Sequence, residues 1–154
     1  MRRFGAVIVA VVALTLTATA QGFAASTANG GGRGTVDGVT PFSQFGFAVH
    51  FGAAGAASGQ FNCLMAGASA FPGFEPLMKV SGSVTGGSLN AAAGTASFTG
   101  SGTLNLGPNG RMPAVFQVSI REGGPGVGKL HLIVLVPFFP VPEETVLNGQ
   151  ITIH

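Results

Sequence analysis

Neither tryptophan nor tyrosine occurs in these 154 residues, cysteine occurs once, and only 8% of the side chains are charged. Each shortage excludes something. A disordered acidic or basic tail needs high charge and few apolar groups, the reverse of this chain. A lipid-facing outer-membrane barrel needs girdles of aromatic residues at both interfaces, and a chain without Tyr or Trp supplies them poorly. A lone cysteine, Cys63, cannot close an intramolecular disulfide, so this is not a disulfide-stapled scaffold. Its simplest place is a buried core position, with an intermolecular disulfide or a reactive thiol as alternatives.

What is plentiful is apolar and small: 46% hydrophobic residues, 26 Gly, 9 Pro and 13 Phe. Glycine and proline at that level, without a triplet period, suit a turn-rich β protein. The first residues stand apart. Met1-Arg2-Arg3-Phe4 is basic, Gly5 to Leu14 is apolar, and small residues follow around Ala20 and Ala24. That is the order of a secretory signal peptide, here assigned to 1–24 with cleavage near 20 or 24. The apolar run is short of the ~20 residues a spanning helix needs, so no stable membrane anchor is expected after cleavage. Without Arg2 and Arg3, five basic residues (Arg33, Lys79, Arg111, Arg121, Lys129) balance five acids (Asp37, Glu75, Glu122, Glu143, Glu144). No cluster of Lys and Arg exists to neutralise phosphates, which excludes nucleic-acid binding.

Beyond residue 25 the dominant period is two. Phe45, Phe47, Val49 and Phe51 share one face of a run from Gln44 to Gly52. Phe61, Cys63 and Met65 share another. From Thr95 to Leu106, hydroxyl residues Thr95, Ser97, Thr99, Ser101 and Thr103 alternate with Ala96, Phe98, Gly100, Gly102 and Leu104. Phe116, Val118 and Ile120 alternate with polar residues, as do Leu147, Ile151 and Ile153. The run from Leu130 to Val136 is apolar on both faces after His131, which predicts a central or doubly covered strand. Weaker strands are expected near Arg33–Val39 and Pro76–Thr85. Turn signals separate the runs at Ala53–Gly59, Gly86-Gly87, Gly107–Gly110, Gly123–Gly128 and Pro137–Pro142. The pattern predicts an all-β fold: one antiparallel β-sandwich or Greek-key, barrel-like domain of about eight strands. Residues 25–34 read as a flexible Gly-rich linker and 35–154 as the domain.

The run Phe45-Gly46-Phe47-Ala48-Val49, followed by Ser58-Gly59-Gln60-Phe61-Asn62, resembles the opening of the bacterial secreted post-choice-of-anchor domain. The ending Leu147 to His154 is similar to that family's terminal strand, and Phe116–Lys129 to its penultimate region. Cys63, Arg121-Glu122 and Lys129 depart from the family pattern. The resemblance implies an extracellular β domain and no known reaction.

Chemistry is sparse. No Gly-x-Ser-x-Gly elbow occurs, since Gly67-Ala68-Ser69-Ala70-Phe71 fails at its last position. No phosphate-binding loop is present. His50, His131 and His154 show no metal-ligand spacing. Glu143 and Glu144 are adjacent, so on an extended chain they point to opposite faces and cannot act on one bond; they read as solvated loop residues after Pro142. No catalytic, cofactor-binding or metal-binding residues are therefore assigned, and no cofactor. The expected role is a secreted, extracellular, non-catalytic module, structural or interacting, with a cell-surface, protein or polysaccharide partner. The alternative is a barrel whose phenylalanines line a cavity for an apolar small molecule or lipid. A secreted hydrolase ranks third. Phe138 and Phe139, between Pro137 and Pro140, are the candidate contact residues, because loop phenylalanines mark contact sites when exposed.

Overall fold

The period-two stretches become strands of 8 to 13 residues in the computed structural model, which describes residues 26–65 and 78–154. The strands are β1 (Ser26–Thr35), β2 (Pro41–Phe51), β3 (Ala57–Met65), β4 (Met78–Asn90) and β5 (Thr95–Asn105). After these come β6 (Arg111–Arg121), β7 (Lys129–Val136), a two-residue β8 (Phe139–Pro140) and β9 (Glu144–Ile153). The signal-peptide assignment to residues 1–24 lies outside the described residues. Among the described residues no helix is long and apolar enough to cross a membrane.

Each strand from β1 to β7 pairs antiparallel with the next, and β9 lies between β7 and β1. The sheet therefore closes into a ring, with β8 a short flap on β7. Of the closures the sequence left open, this is the barrel: one continuous sheet, rather than the two packed sheets of a sandwich, and a meander rather than a Greek key. At the β7–β9 seam only Lys129↔Thr145 and Leu130↔Glu144 pair directly. The β6–β7 loop extends the seam: Gly123 and Ile151 exchange backbone hydrogen bonds at 3.0 Å, Val146 N–H donates to Gly128 O at 2.9 Å, and Gly126 N–H donates to Val146 O at 2.9 Å.

Inward positions alternate along every strand and meet at the axis. The Phe47 and Phe98 rings, from β2 and β5, are 5.7 Å apart, and those of Phe61 and Phe116, from β3 and β6, are 5.3 Å apart. Phe61 and Phe98 meet edge-on at 5.9 Å. Rings from opposite walls thus fill the middle of the barrel. Each fully buried Phe contributes roughly 2–3 kcal/mol relative to exposure, before the entropy of ordering the chain.

Several boundaries differ from the sequence reading. The stretch 25–34 is no linker: residues 26–35 form β1, paired with both β2 and β9. Its inward glycines are packing residues, since a Cβ on Gly30 would overlap the Phe47 ring. The expected strand at Arg33–Val39 ends at Thr35, because the Asp37 carboxylate accepts hydrogen bonds from Thr35 Oγ1, Val39 N–H and Thr40 N–H at 2.7–2.9 Å and folds the turn. Those donors hold its carboxyl well below the usual range. Gly86-Gly87 is no turn but a register shift inside β4, where Gly87 lies against Phe98 and Phe51. The reversal comes at residues 91–94. Finally, of the two expectations for β7 it is the central strand that holds: β6 pairs along one edge and β8 and β9 along the other, while Leu130, Leu132 and Val134 are buried and Leu135 and Val136 are exposed.

Candidate functional site

Two places in the barrel depart from a plain apolar inside and polar outside. The first is on the outer rim, where the candidate contact residues lie. A register shift between Val115 and Phe116 brings Val136 opposite Val115. Both side chains are exposed, at 59% and 40%, beside the exposed Leu135. Phe138 follows at the β7–β8 turn, 74% exposed. A depression of about 380 Å³ lies here, walled by Pro113, Ala114, Val115 and Val136. Phe138 and Phe139 do not act as a pair. Phe139 is half-buried, pairs with Val134 in the sheet and packs against the core, while Phe138 points to solvent. The turn separates them: Phe138 is its last residue and Phe139 begins β8.

The second place is internal. Glu144, the first residue of β9, is 1% exposed. The reading of Glu144 as a solvated loop residue is therefore overturned: β9 begins at this position, and its first inward side chain goes into the barrel. Glu143 keeps the expected outward place, 3.9 Å from the Lys129 ammonium. The Glu144 carboxylate is received by two features. Ser43 on β2 donates a short hydrogen bond to Oε2, and Gly34 on β1, the register partner of Ser43, leaves the space that a Cβ would take from the same oxygen. The other oxygen, Oε1, is buried and has no hydrogen-bond partner among the described residues. Burial pushes the Glu144 carboxyl up to about 7, the Ser43 hydrogen bond opposing it.

Cys63 belongs to the same cluster. It is a free thiol with no exposure. Burial pushes its ionisation above the ordinary thiol range, the Glu144 charge adds to this, and a hydrogen bond with Ser43 works against it. A thiol so placed is held protonated, the opposite of what a nucleophile requires. The arrangement can store or release one proton within an apolar interior. The sequence hid this cluster because Ser43, Cys63 and Glu144 lie on three strands, and neither a serine nor a cysteine on the apolar face of a strand signals a carboxylate neighbour.

His50 is exposed on the outer wall of β2, His131 faces outward on β7, and His154 follows β9, where it and His50 flank Thr27 of β1. Among the described residues no three His, Cys, Asp or Glu side chains converge on a point that could hold a metal ion. No family model, no curated protein and no solved structure matches the chain. The resemblance to the post-choice-of-anchor domain therefore rests on its short glycine-aromatic motifs alone.

Proposed function

We propose that this chain is a secreted, non-catalytic β-barrel module that works at the cell exterior by docking a partner against the rim formed by Val115, Leu135, Val136 and Phe138. The observation that carries the reading is the exposure of four large apolar side chains on one contiguous stretch of β6, β7 and the following turn. An exposed apolar patch with polar surroundings is the usual mark of a contact surface. Export rests on the charged, apolar and small-residue order of Met1 to Ala24. The apolar-ligand alternative is less well supported, because Phe47, Phe61, Phe98 and Phe116, which would line its cavity, touch one another across the axis.

The test is site-specific photo-crosslinking in the cell that makes the protein. A photoreactive phenylalanine analogue replaces Phe138 in one variant and His50, exposed on a different strand, in another. A discrete crosslinked species from position 138 alone supports docking at the rim. Equal crosslinking from both positions, or none from 138, overturns it. Mass spectrometry of the protein in the medium reads the N-terminus in the same samples. A chain still beginning at Met1 would overturn export by signal cleavage.

A further inference from the structure

The outer wall across β4 to β7 carries two parallel rows of polar side chains, set by the strand registers. In the first row Asn90 stands opposite Thr95, Thr95 opposite Arg121, and Arg121 opposite Lys129. In the second, Ser88, Ser97, Ser119 and His131 follow one another in the same way. These rows, with Leu89, Ala96 and Ile120 between them, line a concavity of about 630 Å³, and Glu143 of the β8–β9 connection belongs to the same lining.

The charges in this groove are unbalanced. Arg121 and Lys129 face each other directly across β6 and β7, and like charges in that relation destabilise a sheet unless something of opposite sign lies between them. Lys129 is partly satisfied, its Nζ donating to Thr145 Oγ1 at 2.6 Å and lying 3.9 Å from Glu143. Among the described residues, the Arg121 side chain has neither an ion pair nor a hydrogen bond. A guanidinium presents a planar fork that matches a carboxylate with two parallel hydrogen bonds. Around it, the serine, threonine and asparagine side chains both donate and accept, which suits a ligand rich in hydroxyl groups, while Glu143 can only accept from ligand O–H groups. The volume exceeds what a bare inorganic anion would fill.

We infer that this outer groove is a binding site for an acidic sugar, its carboxylate held by Arg121 and Lys129 and its hydroxyls by the Ser88–Ser119 row and Glu143. The site is independent of the apolar rim, which lies further along β6 and β7. Binding is shallow and weak for a single unit, because no aromatic platform lines the groove, and it weakens as salt rises.

The test is a titration of the full chain with digalacturonate followed by amide NMR, with cellobiose and sodium sulfate as comparison ligands. Saturable shifts at Ser97, Ser119, Arg121 and Lys129 with digalacturonate, and not with either comparison ligand, are expected. Arg121→Ala weakens the binding about tenfold, the loss of a charge-assisted hydrogen-bonding pair. Arg111→Ala, exposed at the opposite end of the same strand, leaves it unchanged. Both positions are exposed, so dispersed spectra from both variants check that the barrel is intact. The inference is overturned by the absence of saturable shifts in the groove, by an equal response to cellobiose or to sulfate, or by an Arg121→Ala variant that binds as the parent does.

Discussion

The Ser43 hydroxyl on β2 donates to the Glu144 carboxylate at the start of β9, 101 residues further along the chain, and among the described residues this is the one hydrogen bond the buried carboxylate receives. Burial outweighs that bond, so the acid holds its proton to about pH 7 when folded, against 4.5 when unfolded. A folded-state value above the unfolded one means the native state binds more protons between the two. Stability is then greatest below about pH 4.5 and declines as pH rises through about 7. At 1.36 kcal/mol for each pKa unit the whole effect is on the order of 3 kcal/mol. Denaturant unfolding at pH 5 and pH 8 should differ in this sense. Glu144→Gln, which keeps the shape of the protonated acid, should remove most of the difference. A variant with the parent's pH dependence would show that Glu144 is not its source.

Removing the donor acts in the other direction. Ser43→Ala leaves both carboxylate oxygens without a partner in an apolar setting. The Glu144 ionisation should move further up, and the loss of stability, about 1–3 kcal/mol for an unsatisfied buried group, should be larger at pH 8 than at pH 5. An equal loss at both pH values would mean that Ser43 contributes packing alone.

Gly34 and Glu144 form a pair that a mutant cycle can separate. A Cβ on Gly34 would overlap the carboxylate, so most of the cost of Gly34→Ala depends on the Glu144 carboxylate being there. In a Glu144→Ala background the same substitution should cost at least ~1 kcal/mol less, a coupling typical of residues in contact. Additive costs would place the strain in the β1 backbone instead.

The alternation of phenylalanines and hydroxyl residues made the strands and their inward faces legible, because period two is a local property of the sequence. Phe45, Phe47, Phe61, Phe98 and Phe116 all point inward as that period requires. Glycine misled. Gly30, Gly32 and Gly34 read as a linker because glycine is scarce in strands, yet Gly30 and Gly34 face a ring and a carboxylate that no larger residue could accommodate. The partners of those glycines, Phe47 and Glu144, lie on other strands, and local sequence carries no register. Glu144 was misread for the same reason: its neighbours Pro142 and Glu143 belong to a loop, and only the β9 pairings with β1 and β7 show that the strand has begun.

Cys63 offers a check on the rigidity of this end of the barrel. With no exposure and a thiol held protonated, it should react with a thiol reagent only through opening of the structure. Labelling in buffer should be at least ~1,000-fold slower than in denaturant, and should accelerate in Ser43→Ala in step with the lost stability. Prompt labelling of the native protein would mean that the β2–β3 wall opens locally.

Phe138 and Phe116 share a residue type and differ in everything that decides energy. Phe116 is fully buried, its ring 5.3 Å from Phe61, and a Cβ on Gly100 across the β5–β6 register would overlap it. Phe116→Ala should therefore cost ~3–5 kcal/mol, the transfer of the ring to water plus the cavity left behind. Phe138 is 74% exposed at a turn, and Phe138→Ser should change stability by no more than ~0.5 kcal/mol. If the rim is a docking surface, the second substitution abolishes the interaction while leaving the melting transition where it was, a separation that a residue held for packing could not give. A large loss of stability in Phe138→Ser would assign the residue to the fold rather than to a partner.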